Sequence, residues 1–87
     1  MQGFVYFIEE VGNDRVKIGF STSPWKRLSG LKSAGLHDLR LLWVFNGTRE
    51  NERYLHWLFQ NHRVRGEWFR ANPEMDELMH ELAEVDA

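Results

Sequence analysis

Residues 15–20, Arg-Val-Lys-Ile-Gly-Phe, alternate between polar or small side chains and apolar ones. That period of two puts Val16, Ile18 and Phe20 on one face of a strand, and Arg15, Lys17 and Gly19 on the other. Ahead of it, Phe4-Val5-Tyr6-Phe7-Ile8 is a run of β-formers. Between the two, Val-Gly-Asn-Asp at 11–14 supplies turn chemistry. The predicted unit is a β-hairpin, and the rest of the chain must pack against it.

Ser23-Pro24 reads as a helix start, with Ser as N-cap and Pro at the first helical position. The helix runs through Leu28 and Leu31 and stops near Gly35. Residues 39–45 read as a third strand, and their near-continuous apolarity predicts a central strand buried on both faces. Asn46-Gly47 ends it. Thr48 caps a second helix to about Asn61, with Tyr54, Leu55, Leu58 and Phe59 as its apolar stripe. Arg63 to Phe69 reads as irregular, pivoting on Gly66. Asn72-Pro73 repeats the cap-then-Pro signal before a last helix carrying Met75, Leu78, Met79 and Leu82. The predicted order is β-β-α-β-α-α.

The 87 residues suggest one domain, 1–87. A domain this small needs an efficient core, and four Trp, six Phe and two Tyr supply material for it. The absence of Cys excludes disulfides and thiolate metal sites. It suits a reducing compartment, and the expected location is cytoplasmic. Met1 to Glu10 is apolar only briefly and without a basic leader, so no signal peptide is expected there. No apolar run approaches the roughly 20 residues of a membrane span. Net charge is −2, but it is unevenly spread: residues 74–87 hold six of the 13 acids and none of the 11 Lys and Arg. The body before them is therefore mildly basic, which is compatible with a basic face.

Tyr6 shares a strand face with Phe4 and Ile8, where an ordinary core tyrosine would also sit. Lys17 lies on the neighbouring strand, and the hairpin can bring the two together on one face. A lysine beside a phenol favours phenolate and attracts phosphate. Gly19, on the same face, leaves room for a ligand or backbone to approach. Arg27, in the first turns of its helix, is either a surface residue or a fork-shaped donor to phosphate oxygens.

Glu52 is the sharpest single signal. It lies about 20° from Phe59 on a helical wheel, at the border of the apolar stripe. A carboxylate there is partly desolvated, which is costly unless it is paired or binds a cation. His56 follows one turn later. The pair reads as a helix hydrogen bond, as an Mg²⁺-binding carboxylate with a supporting histidine, or as two zinc ligands lacking a third. His37, His62 and His80 read as surface residues. Trp25, Trp43, Trp57 and Trp68 could stack on bases; Trp43 and Trp68 suit the core better, whereas Trp57 is the best candidate for a contact surface.

The ordered set Val5-Tyr6-Phe7, Lys17-Ile18-Gly19, Arg27 and Glu52 resembles the GIY-YIG nuclease superfamily, and within it a compact phage-associated branch. The branch pattern Ser-x-x-Pro-x-x-Arg-Leu matches Ser21 to Leu28. Glu-x-x-Leu-His matches Glu52 to His56, and Gly-Glu-Trp-Phe matches Gly66 to Phe69. The resemblance spans roughly residues 3–70. It implies a small three-stranded antiparallel sheet flanked by helices, an α/β fold of the α+β type. It also implies metal-dependent cleavage of DNA phosphodiesters. Tyr6 would deprotonate or orient the attacking water, and Lys17 would take the place of the second tyrosine. Arg27 would stabilise charge on the scissile phosphate, with Gly19 leaving space for it. Glu52 would hold Mg²⁺ or Mn²⁺, with His56 in support. The first motif is Val-Tyr-Phe, the second has Lys17 for Tyr, and Gly66 to Phe69 stand where many members carry Asn. The general base is thus either Tyr6 or Lys17.

Three functions fit: a DNA endonuclease, a nucleic-acid-binding module without catalysis, and a protein-interaction domain built around the acidic last helix. The complete set of Tyr6, Lys17, Arg27 and Glu52 favours the first. Cutting both strands needs two active sites or two encounters, which leaves room for a homodimer.

Overall fold

The hairpin forms as the alternation requires. In the computed structural model, which describes residues 2–35 and 38–86, strand β1 is Gln2–Glu10 and strand β2 is Arg15–Ser21. They pair antiparallel with Tyr6 opposite Gly19 and Ile8 opposite Lys17. Helix α1 (Pro24–Ser33) follows, then strand β3 (Leu39–Thr48) and helix α2 (Arg49–Leu58). A 3-10 turn at Gln60–His62 leads into strands β4 (Arg63–Arg65) and β5 (Trp68–Arg70), and helix α3 is Pro73–Asp86.

The sheet has five strands in the order β3-β1-β2-β5-β4, every neighbouring pair antiparallel, rather than the three expected. The segment read as irregular, Arg63 to Phe69, is a second hairpin, so the order is β-β-α-β-α-β-β-α. Its strands are three residues each and carry Arg63, Arg65 and Arg70, which leaves no apolar alternation to read. Phe69 anchors it, fully buried. Gly66 turns it at φ 56°, a left-handed conformation that glycine adopts without a Cβ penalty.

The buried central strand is β1, where Val5, Tyr6, Phe7 and Ile8 are at most 1% exposed. β3 lies at the sheet edge and is mostly half-buried, contrary to the expectation from its apolar run. Its side chains are apolar on both faces because helices pack on both sides of the sheet. On one face Val5, Phe7, Val16, Ile18 and Phe20 pack with Leu55 of α2, Phe59 at its C-terminal cap, Phe69 of β5 and Met75 of α3. On the other, Tyr6, Ile8 and Leu39 pack with Leu28 and Leu31 of α1. Burying a side chain of this size is worth roughly 1.5–3 kcal/mol.

Caps divide the prediction. Thr48 accepts from the Asn51 backbone N–H at 3.2 Å, and Asn51 accepts from the Thr48 N–H at 2.8 Å, a capping box that fixes where α2 begins. Ser23 occupies the cap of α1 but makes no side-chain cap bond; its own N–H donates to Ser21 Oγ instead. Pro24 starts that helix as expected. Tyr54 and Leu58, assigned to the apolar stripe of α2, are 57% and 40% exposed; Leu55 and Phe59 carry the contact. Among the described residues, no helix is long and apolar enough to cross a membrane.

Candidate functional site

The site grows from a local defect in the sheet. β5 pairs with β2 only along Arg15 to Lys17, and its backbone then leaves at Glu67, whose carbonyl accepts from Ile18 N–H. Beyond that point, among the described residues, the edge of β2 carries no strand partner on this side. Side chains from both faces meet there.

From the α1 face comes Tyr6. Its ring lies across β2 at Gly19, so close that a Cβ on Gly19 would overlap the hydroxyl. Gly19 has no room for a side chain, but the room is taken by the Tyr6 ring rather than left for the ligand or backbone expected there. The phenol is buried, and burial, with the Glu67 carboxylate as second cause, pushes its pKa up to about 12. Arg27 acts in the opposite direction on the same phenol, and Glu52 again upward. Arg27 itself is exposed on α1, and among the described residues no carboxylate pairs with it.

From the opposite face comes α2. The capping box at its start and Leu55 and Phe59 in the core fix its rotation, which turns Glu52 inward to 7% exposure. His56, one turn on, donates from Nε2 to the Ile18 carbonyl at 2.8 Å and packs its ring against Phe69. With the proton on Nε2, the neutral ring keeps its lone pair at Nδ1.

Glu67, in the turn between β4 and β5, joins the two sides. Its carboxylate pairs with Lys17 Nζ at 2.8 Å. Lys17 also lies over the Trp68 ring at 5.7 Å, so it is less a solvated lysine than the support of this turn. Glu52, His56 and Glu67 each offer a ligand atom, and these atoms all lie within 4.8 Å of one another. The Glu52 carboxyl is pushed above the ordinary carboxylate range, first by burial and next by Glu67. His56 and Arg49 pull it back in part. Two carboxylates this close, one of them buried, hold a cation or a proton between them.

The residues singled out in the sequence are therefore assembled: Tyr6, Gly19, Lys17, Glu52 and His56 surround the β2 edge, with Arg27 acting on the phenol. Glu67 was missed. The Gly-Glu-Trp-Phe run contained it, but only the β2–β5 pairing brings it to Glu52. Trp57 is 62% exposed, as expected of a contact surface, and Trp43 and Trp68 are half-buried. His62 and His80 are half-buried and exposed, respectively, and His37 lies outside the described residues.

The family model of the T5orf172 domain matches residues 3–85, nearly the whole chain. Neither curated proteins nor solved structures provide a match.

Proposed function

We propose that this chain, which belongs to the T5orf172 family of phage-associated, nuclease-like domains, is a divalent-metal-dependent DNA endonuclease of the GIY-YIG type. One observation carries the proposal: Glu52, His56 and Glu67 bring ligand atoms within 4.8 Å of one another, with both carboxylates acting on the Tyr6 phenol.

The donor set fits a hard divalent cation. Two carboxylates suit Mg²⁺ or Mn²⁺, and the imidazole adds a ligand that Mn²⁺ accepts more readily. Glu52 and Glu67 would hold the ion, with His56 as the third ligand or its support. When bound, such an ion supplies Lewis-acid stabilisation of charge developing on a phosphodiester.

The chain's own residues supply the rest. Arg27, exposed and without a carboxylate partner among the described residues, offers its guanidinium fork to the scissile phosphate. Tyr6, with a pKa near 12, keeps its proton at neutral pH. It therefore acts first as a hydrogen-bonding group that orients the attacking water. Lys17 is engaged with Glu67, holding that carboxylate in the cluster. Neither residue stands ready as a free base: Tyr6 acts by positioning and Lys17 by charge. The whole chain would work as one nuclease domain on DNA in the cytoplasm, and a second copy would be needed only to cut both strands at once.

Nicking of supercoiled and branched DNA in Mg²⁺ or Mn²⁺ tests this. Wild type is expected to nick, and Glu52→Ala to stop nicking while keeping its circular dichroism. Wild-type protein that binds these DNAs but never cuts them would leave a binding module in place of a nuclease.

A further inference from the structure

The sheet face beside the cluster carries cations that the fold does not use. We infer that Arg15, Arg65 and Arg70, flanked by Lys17 and Trp68, form the track that holds the phosphate backbone of DNA and leads it toward Glu52; the assignment of DNA as occupant rests on the nuclease reading above.

Strand register puts these side chains on one face. Directly opposed residues of an antiparallel pair point the same way. Arg15 stands opposite Arg70 and Lys17 opposite Trp68 across β2 and β5, and Arg65 stands opposite Trp68 across β4 and β5. Trp68 packs toward the Tyr6 side of the sheet, which fixes the face as the one from which Tyr6 reaches the site. α1 packs on β1, β3 and β2, whereas Arg15, Arg65 and Arg70 are all exposed. A shallow concavity lined by Glu10, Arg15, Val64, Arg65 and Trp68 lies on this face.

The pairing of Arg15 with Arg70 is unfavourable by itself. Like charges directly opposite in a sheet destabilise it. Among the described residues no carboxylate pairs with Arg15, Arg65 or Arg70. One acid faces this end of the track, Glu10 opposite Arg15 across β1 and β2, and it accepts from Asn13 Nδ2 without forming an ion pair with Arg15, while Glu67 pairs with Lys17. An anion lying between the arginines removes the repulsion. Arg15 and Arg70 stand ~4.8 Å apart on neighbouring strands, Arg65 and Lys17 ~9.6 Å apart on either side of Trp68, and Arg15 and Lys17 ~6.8 Å apart along β2. A nucleic-acid strand with closely spaced phosphates matches a series of this kind, and the guanidinium fork matches phosphate oxygens. The acidic helix α3 packs on the opposite face through Met75.

Binding of a duplex oligonucleotide without added divalent ion, measured across salt concentrations, tests the track independently of cleavage. The Arg15→Gln/Arg70→Gln protein is expected to lower the slope of log K against log salt by about 2, and Arg65→Gln by about 1. The double variant should also weaken binding by roughly tenfold or more at low salt. Arg15→Lys/Arg70→Lys should keep the slope, and so should Lys32→Gln/Arg53→Gln, which removes equal charge elsewhere. Each variant should retain wild-type Mn²⁺ binding. A wild-type slope in the Gln double variant, or an equal loss in the Lys32/Arg53 control, would overturn the inference even if the protein is a nuclease. A wild type that binds polyglutamate but not DNA would assign the face to an acidic protein and overturn it also. The predicted slopes in a protein that never cuts DNA would uphold the track and remove the nuclease reading.

Discussion

The Tyr6 hydroxyl occupies the space that a side chain at Gly19 would take. The two residues are directly opposed on β1 and β2, so the ring lies over β2. A core position on the central strand thereby delivers a polar group to the site. Gly19→Ala puts a methyl against a ring that is 1% exposed and has nowhere to turn. Overpacking of this kind costs about 1–3 kcal/mol. A lowered melting temperature is expected together with loss of DNA nicking. An alanine variant with wild-type stability and activity would show that Tyr6 need not lie there.

Tyr6 should remain protonated across the working range. The chain has two tyrosines, so Tyr54→Phe leaves Tyr6 alone. With a pKa pushed up to about 12, the ultraviolet signal of tyrosinate should stay flat from about pH 7 to about pH 10. A phenolate appearing near neutrality would instead make Tyr6 a ready general base.

Without metal, Glu52 should make stability fall as pH rises. Its folded-state pKa is raised above the ordinary 4.5, so the folded protein binds the proton more tightly than the unfolded chain. The contribution is fully present below about 4.5 and is lost as pH climbs through the raised value. In chelator, wild type should melt higher at mildly acid than at neutral pH. Glu52→Gln should remove that difference and melt above wild type at neutral pH. Mn²⁺ should then raise the melting temperature of wild type but not of the variant. Thermal melts with and without Mn²⁺ check all three.

Much of this was legible in the sequence, and the failures have two causes. Periodicity exposed the first hairpin, because Val16, Ile18 and Phe20 all face one core. The wheel position of Glu52 reported its burial correctly, because the same helix face carries Leu55 and Phe59. The β4–β5 hairpin was invisible: three-residue strands bearing arginines have no period to detect. Losing it lost two strands, the partner of Lys17 and the second carboxylate together. The edge position of β3 was hidden because helices on both sheet faces make an edge strand as apolar as a central one.

The same hairpin should be the weak point of the site. Phe69 anchors it, packs against His56 and is stacked by the Arg63 guanidinium at 5.3 Å. Phe69→Ala should cost about 3–5 kcal/mol. Mn²⁺ affinity should fall with it, since Glu67 loses its support. Calorimetric titration at a temperature where the variant is folded checks this, with Glu74→Gln as an exposed-acid control that leaves affinity unchanged.

The most direct measurement of the central claim is anomalous scattering from a crystal grown with Mn²⁺. The expected result is a manganese peak bonded to Glu52 and Glu67 carboxylate oxygens and lost in Glu52→Gln crystals. A manganese ion bound elsewhere, or none at Glu52 in a protein that nonetheless cuts DNA, would contradict it.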